Sequence, residues 1–530
     1  YVSNGGWIDG NTTDGMRKNL AEEFDHIYVY NLRGNQRTAG ELSRREGGKI
    51  FGAGSRNTVA ITLLVKTGQG DGVHIHYCDI GDYLDREEKL ALVAAADLDT
   101  LEWQTIVPNA DGDWINQRSG DFEAFVPLGD KKNADVTTVF TSYAYALLSS
   151  RDAWVYNASR AELSLNVAST VNAYNDEVDR LKGRPSNGSI EELVDSDPSR
   201  VSWSSSLLKA CEKGRHLSFD AHKLRRATYR PFERRWLYFD ALLVHRAGLL
   251  PTMFPTHSAG NFGMCVVGPG SDKSWSILLV DSIPDLALWG SSTNQFFPRY
   301  TYTKPADSGQ LFTDYDGELV DGYARVDNIT DAILKEFQAA VGDHVTKDDI
   351  FHYVYGLLHS PDYRQRYAAD LKKMLPRIPQ PADQGTFTAF TSAGAQLAAL
   401  HLGYETVDQY PLTEEWLRPP EDPAAFRVVK MTYPKNDRSR IVYNSQLTLA
   451  GIPEDAYRYM LGSRSAIDWI IDRYQIRTDK ASGITNDPNT YSDNPRYIID
   501  LLKRIVTVSV ETMRIVDGLP TIPGSSRDLR

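Results

Sequence analysis

The first 66 residues alternate patterns typical of helices and strands, and this alternation constrains the fold more than any other feature of the sequence. Residues 14–23 carry apolar side chains four apart and are predicted to be helical, and residues 26–32 are predicted to form a strand. Residues 59–65 form a nearly continuous apolar run of strand length, which indicates burial on both faces. We therefore predict that this segment is part of an α/β sheet.

A long loop joins the last two predicted strands and is rich in glycine and arginine. Loops of this length within a compact domain are usually functional or disordered. The loop carries Arg33, Arg37 and Arg56. Arginines can neutralise phosphates, and glycines allow a backbone to approach nucleic acid closely. The loop is therefore a candidate DNA-contacting segment.

The composition indicates an ordered globular protein with an acidic total charge. Of 530 residues, 41% are hydrophobic and 24% are charged, and the net charge is -12. Acidity does not exclude DNA binding, because binding needs a basic face and not a basic average. No apolar run approaches the roughly 20 residues that span a bilayer, so we expect no membrane association. Three widely spaced cysteines fit a reducing cytoplasm and argue against a disulfide framework.

A second basic cluster lies at residues 222–236, and a weaker one at residues 435–440. The candidate DNA-binding residues of the second cluster are Lys223, Arg225, Arg226, Arg230 and Arg234. If this segment continues as one strand, alternation places Arg230 and Arg234 on one face. A buried arginine would need a carboxylate partner, since an unpaired buried charge is very costly. The alternative is a solvated face whose arginines pair with carboxylates elsewhere in the fold.

The remainder of the chain predicts a mixed α+β region, a helical segment and a further α+β part. Residues 327–380 are predicted to be helical, with Thr346 and Asp349 as a capping box and a second helix after Ser360. Residues 376–385 are proline-rich and predict a linker. One later helix is predicted to begin at Ser465, and another is predicted to start at Asn494-Pro495 and to stop at Gly518.

Sequence motifs give no self-sufficient active site. His74, His76 and Cys78 alternate on a possible strand and could form half of a zinc site, but catalytic zinc needs three protein ligands. Packing on an edge strand is the alternative. Residues 268–273 fall short of a phosphate loop, and no nucleophile elbow occurs. We therefore assign no catalytic residue and no metal ligand.

Three stretches resemble one family of enzymes. Residues 2–66, from VSNGGW to LLVK, resemble the later methyltransferase motifs of type ISP restriction–modification enzymes. YRPFERRW at residues 229–236 and IFHYVYGLLHSPDYRQRYAADLKKMLPRIP at residues 350–379 resemble the C-terminal specificity region of that family. Its members are large single-chain phage-defence proteins with nuclease, helicase, coupler, methyltransferase and target-recognition parts.

The resemblance implies a fold and a division into domains. It implies the C-terminal part of a methyltransferase domain at residues 1–95, a truncated α/β methyltransferase sheet. A mixed α+β and helical target-recognition region follows at residues 96–380, with its helical segment at 327–380. Residues 386–530 would form the C-terminal α+β part of the specificity domain.

The resemblance also implies what the chain lacks. The glycine motif that binds S-adenosylmethionine and the catalytic Asn-Pro-Pro-Tyr motif do not occur in this sequence. The S-adenosylmethionine site would therefore lie mostly outside the chain, and ATP and Mg would serve only upstream domains. We expect a piece of an adenine-N6 methyltransferase that is inactive alone. Its expected partners are double-stranded DNA and the upstream methyltransferase, helicase and nuclease parts.

The same resemblance assigns a role to Phe51. In gamma-class adenine methyltransferases, a phenylalanine before the penultimate strand stacks on the adenine flipped out of the duplex, and KIFGAGSRNTVAITLLVK is similar to that pattern. The expected function is DNA target recognition and the positioning of that adenine for N6 methylation. The alternatives are a DNA-independent protein-interaction module of a defence complex and a metal-dependent hydrolase using His74 and His76. Phe51 could also be an ordinary core residue at a strand entrance.

Overall fold

The structure is a computed structural model that combines helices with several small sheets. It describes residues 1–38, 40–52, 55–68, 72–133, 135–183, 188–271, 273–290, 293–304 and 319–522, with the side chains of residues 40–42 left out. Within these ranges no helix is long and apolar enough to cross a membrane. The mixture of α and β elements confirms the expected mixed fold class.

The N-terminal unit is a five-stranded sheet. Its elements are β1 (Val2–Asn4), α1 (Asp14–Glu23), β2 (His26–Arg33), α2 (Gly40–Glu46), β3 (Val59–Val65), β4 (His74–Asp79), α3 (Arg86–Ala95) and β5 (Gln104–Ile106). The strand order is β1-β3-β2-β4-β5. β2 runs parallel to β4, whereas the other neighbouring pairs are antiparallel. The helix and the two strands predicted in the first 66 residues are confirmed.

The prediction that β3 is buried on both faces is only half right. Val59 and Ala60 are buried, but Leu63 is 43% exposed. Among the described residues, the pairing of β3 with β1 includes Ile61 but does not reach Leu63, so this part of β3 is open to solvent.

Two four-stranded sheets dominate the middle of the chain. The strands of this region are β6 (Val126–Pro127), β7 (Ala144–Tyr145), β8 (Tyr156–Asn157), β9 (Leu224–Arg230), β10 (Glu233–Tyr238), β11 (Gly263–Val267), β12 (Ile277–Val280), β13 (Ile283–Pro284), β14 (Asn294–Pro298), β15 (Tyr300–Thr303), β16 (Leu319–Val320) and β17 (Tyr323–Asp327). The strand orders of the two large sheets are β13-β9-β10-β8 and β12-β11-β14-β7, and β15, β16 and β17 form a smaller sheet. The helices are α4 (Asp152–Val155), α5 (Arg160–Leu181), α6 (Ile190–Leu193), α7 (Ser205–Glu212) and α8 (Leu250–Met253).

Helices occupy most of residues 327–380, the segment predicted to be helical, but Asp327 ends β17 and residues 377–378 form a short strand. The segment contains α9 (Asp331–Val341), α10 (Lys347–Leu357), α11 (Pro361–Arg366) and α12 (Ala368–Lys373), followed by β18 (Arg377–Ile378) and α13 (Gln384–Leu402). Thr346 and Asp349 form the predicted capping box, and Ser360 caps α11. At the crossing of α10 and α13, a Cβ on Gly394 would lie 1.8 Å from the carbonyl oxygen of His352. This close approach requires glycine.

The C-terminal part adds short strands and two amphipathic helices. Its elements are β19 (Thr413–Trp416), β20 (Arg440–Val442), β21 (Leu447–Ala450), β22 (Met460–Leu461), β23 (Arg464–Ser465), α14 (Ala466–Arg473), β24 (Arg477–Thr478), β25 (Thr485–Asn486) and α15 (Tyr497–Asp517). Ser465 caps α14, and α15 ends immediately before Gly518, both as predicted.

Apolar packing continues across the predicted linker. Tyr353 on α10 stacks on Phe387 on α13, with ring centroids 5.3 Å apart, and both belong to one buried cluster. The N-terminal unit is joined to α12 through Asp113, which lies 3.4 Å from Arg17 on α1 and 2.5 Å from Lys373 on α12. The domain boundaries near residues 95 and 380 stay predictions.

Candidate nucleic-acid interface

Arg33 lies at the base of the arginine-rich loop and is engaged with carboxylates of its own chain. It ends β2 with a positive φ of 55°. Its Nε donates to Asp79 at 2.6 Å, and Nη1 pairs with Asp82. Although burial disfavours its charge, these carboxylates raise the pKa of Arg33. The geometry gives Arg33 an anchoring role at the start of the loop.

The loop is also fastened from α3. The buried Lys89 donates its Nζ to the carbonyl oxygens of Leu32, at 2.9 Å, and Glu46, at 2.7 Å. A Cβ on Gly47 would lie 2.1 Å from the carbonyl oxygen of Leu84, and Gly47 has a φ of +68°. At this point the glycine therefore permits close packing within the protein itself.

The outer part of the loop presents an aromatic ring and basic side chains. Phe51 is 49% exposed, so it is not the core residue of the alternative interpretation. Arg37 and Arg56 are exposed, and Arg56 bonds the carbonyl oxygen of Gln36 at 3.1 Å. In the described part of the chain, no carboxylate pairs with either guanidinium. The anchored loop thus leaves Phe51 and two arginines facing solvent.

The second basic cluster is a hairpin, so the assumption of one continuous strand is wrong. β9 ends at Arg230, the chain turns through Pro231 and Phe232, and β10 begins at Glu233. Phe232 has a φ of +57°, and the register shifts at Arg234. Strand alternation between Arg230 and Arg234 therefore does not apply, because a turn and a bulge separate them.

Arg230 and Arg234 both have carboxylate partners. Arg230 is buried and lies 2.7 Å from Asp285, which confirms that a buried arginine here is paired. Arg234 lies 2.8 Å from Asp281 and also pairs with Glu405. Although burial disfavours the charge of Arg234, these carboxylates and the nearby Tyr404 raise its pKa.

Lys223 and Arg225 also bond within the chain. The Nζ of Lys223 lies 2.7 Å from Asp240. Arg225 donates to the carbonyl oxygens of Phe254, at 3.3 Å, and Thr256, at 2.5 Å. Burial lowers the pKa of Arg225. These contacts fasten β9 to the segment that follows α8.

Arg226 differs from the other arginines of the hairpin. Its side chain is exposed, and its guanidinium lies 4.1 Å from the ring centroid of Trp236 and 4.7 Å from that of Tyr491. Among the described residues no carboxylate pairs with it. The two rings hold the guanidinium by cation–π contact and leave its N–H groups available for a phosphate.

Sequence reasoning missed a basic cavity. The cavity has a volume of about 310 Å³ and is lined by Arg230, Lys273, Arg464 and Arg473 together with tryptophans. The lining comes from four separated segments, so no local sequence signal could have identified it. Lys273 donates to the carbonyl oxygen of Arg37 at 3.2 Å, which places the cavity beside the arginine-rich loop.

The weaker third cluster at residues 435–440 is neutralised internally. Arg438 lies 2.8 Å from Asp468. Arg440 on β20 pairs with Glu415 on β19, across the central strand β21 of the same sheet. Both guanidiniums are thus held by carboxylates in the C-terminal part.

The histidines of β4 stack beside β2 without forming a metal site. The ring centroid of His26 lies 5.1 Å from that of His74 and 6.1 Å from that of His76, and Tyr28 stacks on His76 at 4.5 Å. Within the described residues no group of three or more His, Cys, Asp or Glu side chains could hold a metal ion. The stacking agrees with the packing alternative, and the part of the chain that the structure describes contains no ligand cluster for the metal-hydrolase alternative.

Comparison with known proteins identifies the family. A family model of the Type ISP C-terminal specificity domain matches residues 138–501, which is more than half of the chain. The chain belongs to the Type ISP restriction–modification enzymes. No curated protein sequence matches it.

Three solved structures are similar over 98% of this chain. A nuclease-deletion mutant of the Type ISP enzyme LlaGI, in complex with a DNA substrate mimic, is 38% identical with a TM-score of 0.82. The ATP-dependent Type ISP enzyme LlaBIII, bound to DNA, is 34% identical with a TM-score of 0.82. DrdV, in a complex with DNA, is 30% identical with a TM-score of 0.79.

The chain covers only part of these proteins. It spans 39% of the LlaGI chain, 32% of the LlaBIII chain and 50% of the DrdV chain. For this chain, the activities of whole Type ISP enzymes are therefore proposals only.

Proposed function

We propose that the chain recognises a short asymmetric site in duplex DNA and holds one adenine, flipped out of the duplex, for N6 methylation by the intact Type ISP enzyme. The exposed Phe51 on an otherwise anchored loop carries the proposal. Exposure of an aromatic ring to water is unfavourable, and stacking on an extrahelical base would bury the ring. The DNA complexes of LlaGI, LlaBIII and DrdV support the DNA-binding part of this proposal.

The structure narrows the set of proposed phosphate contacts. Arg37, Arg56 and Arg226 are exposed and have no carboxylate partner among the described residues. Their charges are available for backbone phosphates, which supply affinity without sequence choice. The remaining predicted residues have bonds within the chain and would brace the surface: Arg33, Lys223, Arg225, Arg230 and Arg234.

The methylation chemistry itself would reside elsewhere in the intact enzyme. In this proposal residues 1–95 complete a methyltransferase sheet whose other strands come from the rest of the polypeptide. The sequence has no glycine motif to cradle S-adenosylmethionine and no Asn-Pro-Pro-Tyr motif, so its residues do not fit as the main site of that cofactor. ATP and Mg would act in the helicase and nuclease parts.

Salt-dependent binding tests the proposal. The intact enzyme is titrated with fluorescent duplexes at several salt concentrations, and the double variant Arg37→Ala/Arg56→Ala is compared with Arg440→Ala. Each lost phosphate contact should reduce the slope of log K against log salt by about 0.9. Arg440→Ala is the matched control, because Arg440 is neutralised by Glu415, and it should leave the slope unchanged. Absence of salt-dependent binding by the wild type would favour a protein-interaction module.

A further inference from the structure

Three arginines converge on one carboxylate at the C-terminal end of α14. Asp472 accepts Nε of Arg473 at 2.6 Å and Nη2 of Arg477 at 2.9 Å, and it also pairs with Arg464. One carboxylate can neutralise one guanidinium. The cluster therefore holds surplus positive charge and N–H donors that Asp472 cannot satisfy.

Two of these arginines, Arg464 and Arg473, line the cavity of about 310 Å³, and this space is the Asp472 pocket. Arg230, Lys273 and Ser463 contribute further polar groups to its wall. Trp289 also lines it, and the buried Nε1 of Trp289 has no hydrogen-bond partner among the described residues. A buried polar atom without a partner beside a cavity indicates a missing acceptor.

The surrounding charges leave the Asp472 pocket positive. The arginines of the wall and of the ion pairs behind it outnumber the carboxylates that pair with them: Arg230, Arg235, Arg464, Arg473 and Arg477 against Asp285, Glu233 and Asp472. Arg473 is only 17% exposed, so its charge is poorly screened by solvent. An anion in the pocket would compensate this excess.

The chemistry of the wall favours a phosphate over a base. Guanidinium groups present paired N–H donors that match phosphate oxygens. Trp289 and Trp469 are buried, so neither offers an open ring face on which a base could stack. Lys273 reaches from the pocket to the carbonyl oxygen of Arg37, so the pocket adjoins the loop that carries Phe51.

We propose that the Asp472 pocket binds one backbone phosphate of the target duplex and so fixes the DNA relative to the Phe51 loop. This inference rests on the proposed function, because it assumes that duplex DNA lies along this surface. Arg464 and Arg473 supply the donors, and Asp472 orients them. The contact is to the backbone, so it adds affinity without discriminating between sequences.

The test compares Arg464→Gln with Arg477→Gln in the intact enzyme. Both variants lose one guanidinium from Asp472, but only Arg464 lines the pocket. Arg464→Gln should weaken binding to every duplex about tenfold and reduce the salt slope by about 0.9. Arg477→Gln should change neither. Arg473→Gln, the variant of the second proposed donor, should repeat the smaller slope if Arg464→Gln fails to fold.

A neutral methylphosphonate moved along the duplex locates the phosphate. One position should weaken wild-type binding while leaving Arg464→Gln binding unaffected. If wild type binds DNA with a normal salt slope and both folded pocket variants behave like Arg477→Gln, the pocket assignment is overturned and the proposed function stands. If wild type shows no salt-dependent binding, the pocket assignment and the proposed function are both contradicted.

Discussion

Phe51 is the residue on which the base-flipping role depends. Nearly half of its surface is exposed, while the loop around it is held by Arg33 and Lys89. Base–aromatic stacking is worth about 1–3 kcal/mol, so Phe51→Ala in the intact enzyme should reduce methyl transfer at least about fivefold. Phe51→Trp should retain most of the transfer.

The measurement is transfer of labelled methyl groups to target duplexes at saturating DNA. Leu165→Ala is the control for removal of an exposed apolar side chain, because Leu165 is exposed on α5. Unchanged methyl transfer by a folded Phe51→Ala variant would remove the stacking role.

Arg225 and Arg226 are adjacent, but the structure separates their roles. Arg225→Ala removes hydrogen bonds to two carbonyl oxygens and should lower thermal stability with little change in the salt slope. Arg226→Ala should leave stability nearly unchanged and reduce the slope by about 0.9. Thermal unfolding and DNA titration are measured on both variants. The reverse pattern would contradict the assignment of Arg226 to phosphate contact.

Asp113 joins two elements that are far apart in sequence. It connects α1, through Arg17, with α12, through Lys373. Although burial opposes ionisation, Lys373 and Arg118 lower the pKa of Asp113 to about 2. Asp113→Asn leaves buried cations without their partner and should cost about 3–5 kcal/mol of stability.

Urea unfolding checks this effect, with Asp111→Asn as the control. Asp111 is exposed and lies 3.1 Å from Arg118, so its replacement should cost less than about 1 kcal/mol. Equal effects of the two substitutions would show that the junction does not depend on the buried carboxylate.

We expect the contact between α10, α13 and α15 to depend on pH through the buried His401. Its Nδ1 lies 2.6 Å from the hydroxyl of Tyr355, its Nε2 lies 3.0 Å from that of Thr512, and burial lowers its pKa to about 3. In the unfolded chain the imidazole takes up a proton near pH 6.5. The contribution of neutral His401 to the free energy of unfolding should therefore be fully present above pH 6.5. It should fall by up to about 1.4 kcal/mol per pH unit as the pH decreases towards 3.

His401→Gln should flatten this dependence in urea unfolding measured between pH 6.5 and 4.5. His216→Gln is the control, because His216 is exposed beside Asp179. If the control and the His401 variant show the same pH dependence as wild type, buried neutral His401 is not the cause.

At the scale of elements, local signals in the sequence predicted the structure well. The capping box at Thr346, the cap at Ser465 and the end of α15 before Gly518 depend on neighbouring residues, and all three were predicted correctly. The hairpin at Pro231 was missed because its turn uses Phe232 at positive φ, which a bulky residue rarely adopts. The exposure of Leu63 was missed because it depends on which strand pairs with β3, and that pairing is a contact between segments distant in sequence.

At the scale of the whole molecule, long-range pairing decides which predicted arginines face solvent. Arg33 and Arg234 could not be separated from Arg56 and Arg226 by sequence, because their partners Asp79, Asp281 and Glu405 are distant or not distinguished by any motif. The Asp472 pocket also depends on tertiary contact. The family resemblance supplied the proposed role of Phe51, and the structure showed that its ring is exposed.

The whole molecule is best tested by selection from a random pool of duplexes. The intact enzyme is incubated with the pool at moderate salt, and the retained DNA is sequenced. We expect enrichment of one short asymmetric sequence that contains an adenine. The Phe51→Ala variant should enrich the same sequence, because base reading and base stacking use different contacts. Retention of DNA without enrichment of any sequence would contradict the assignment of target recognition to this chain.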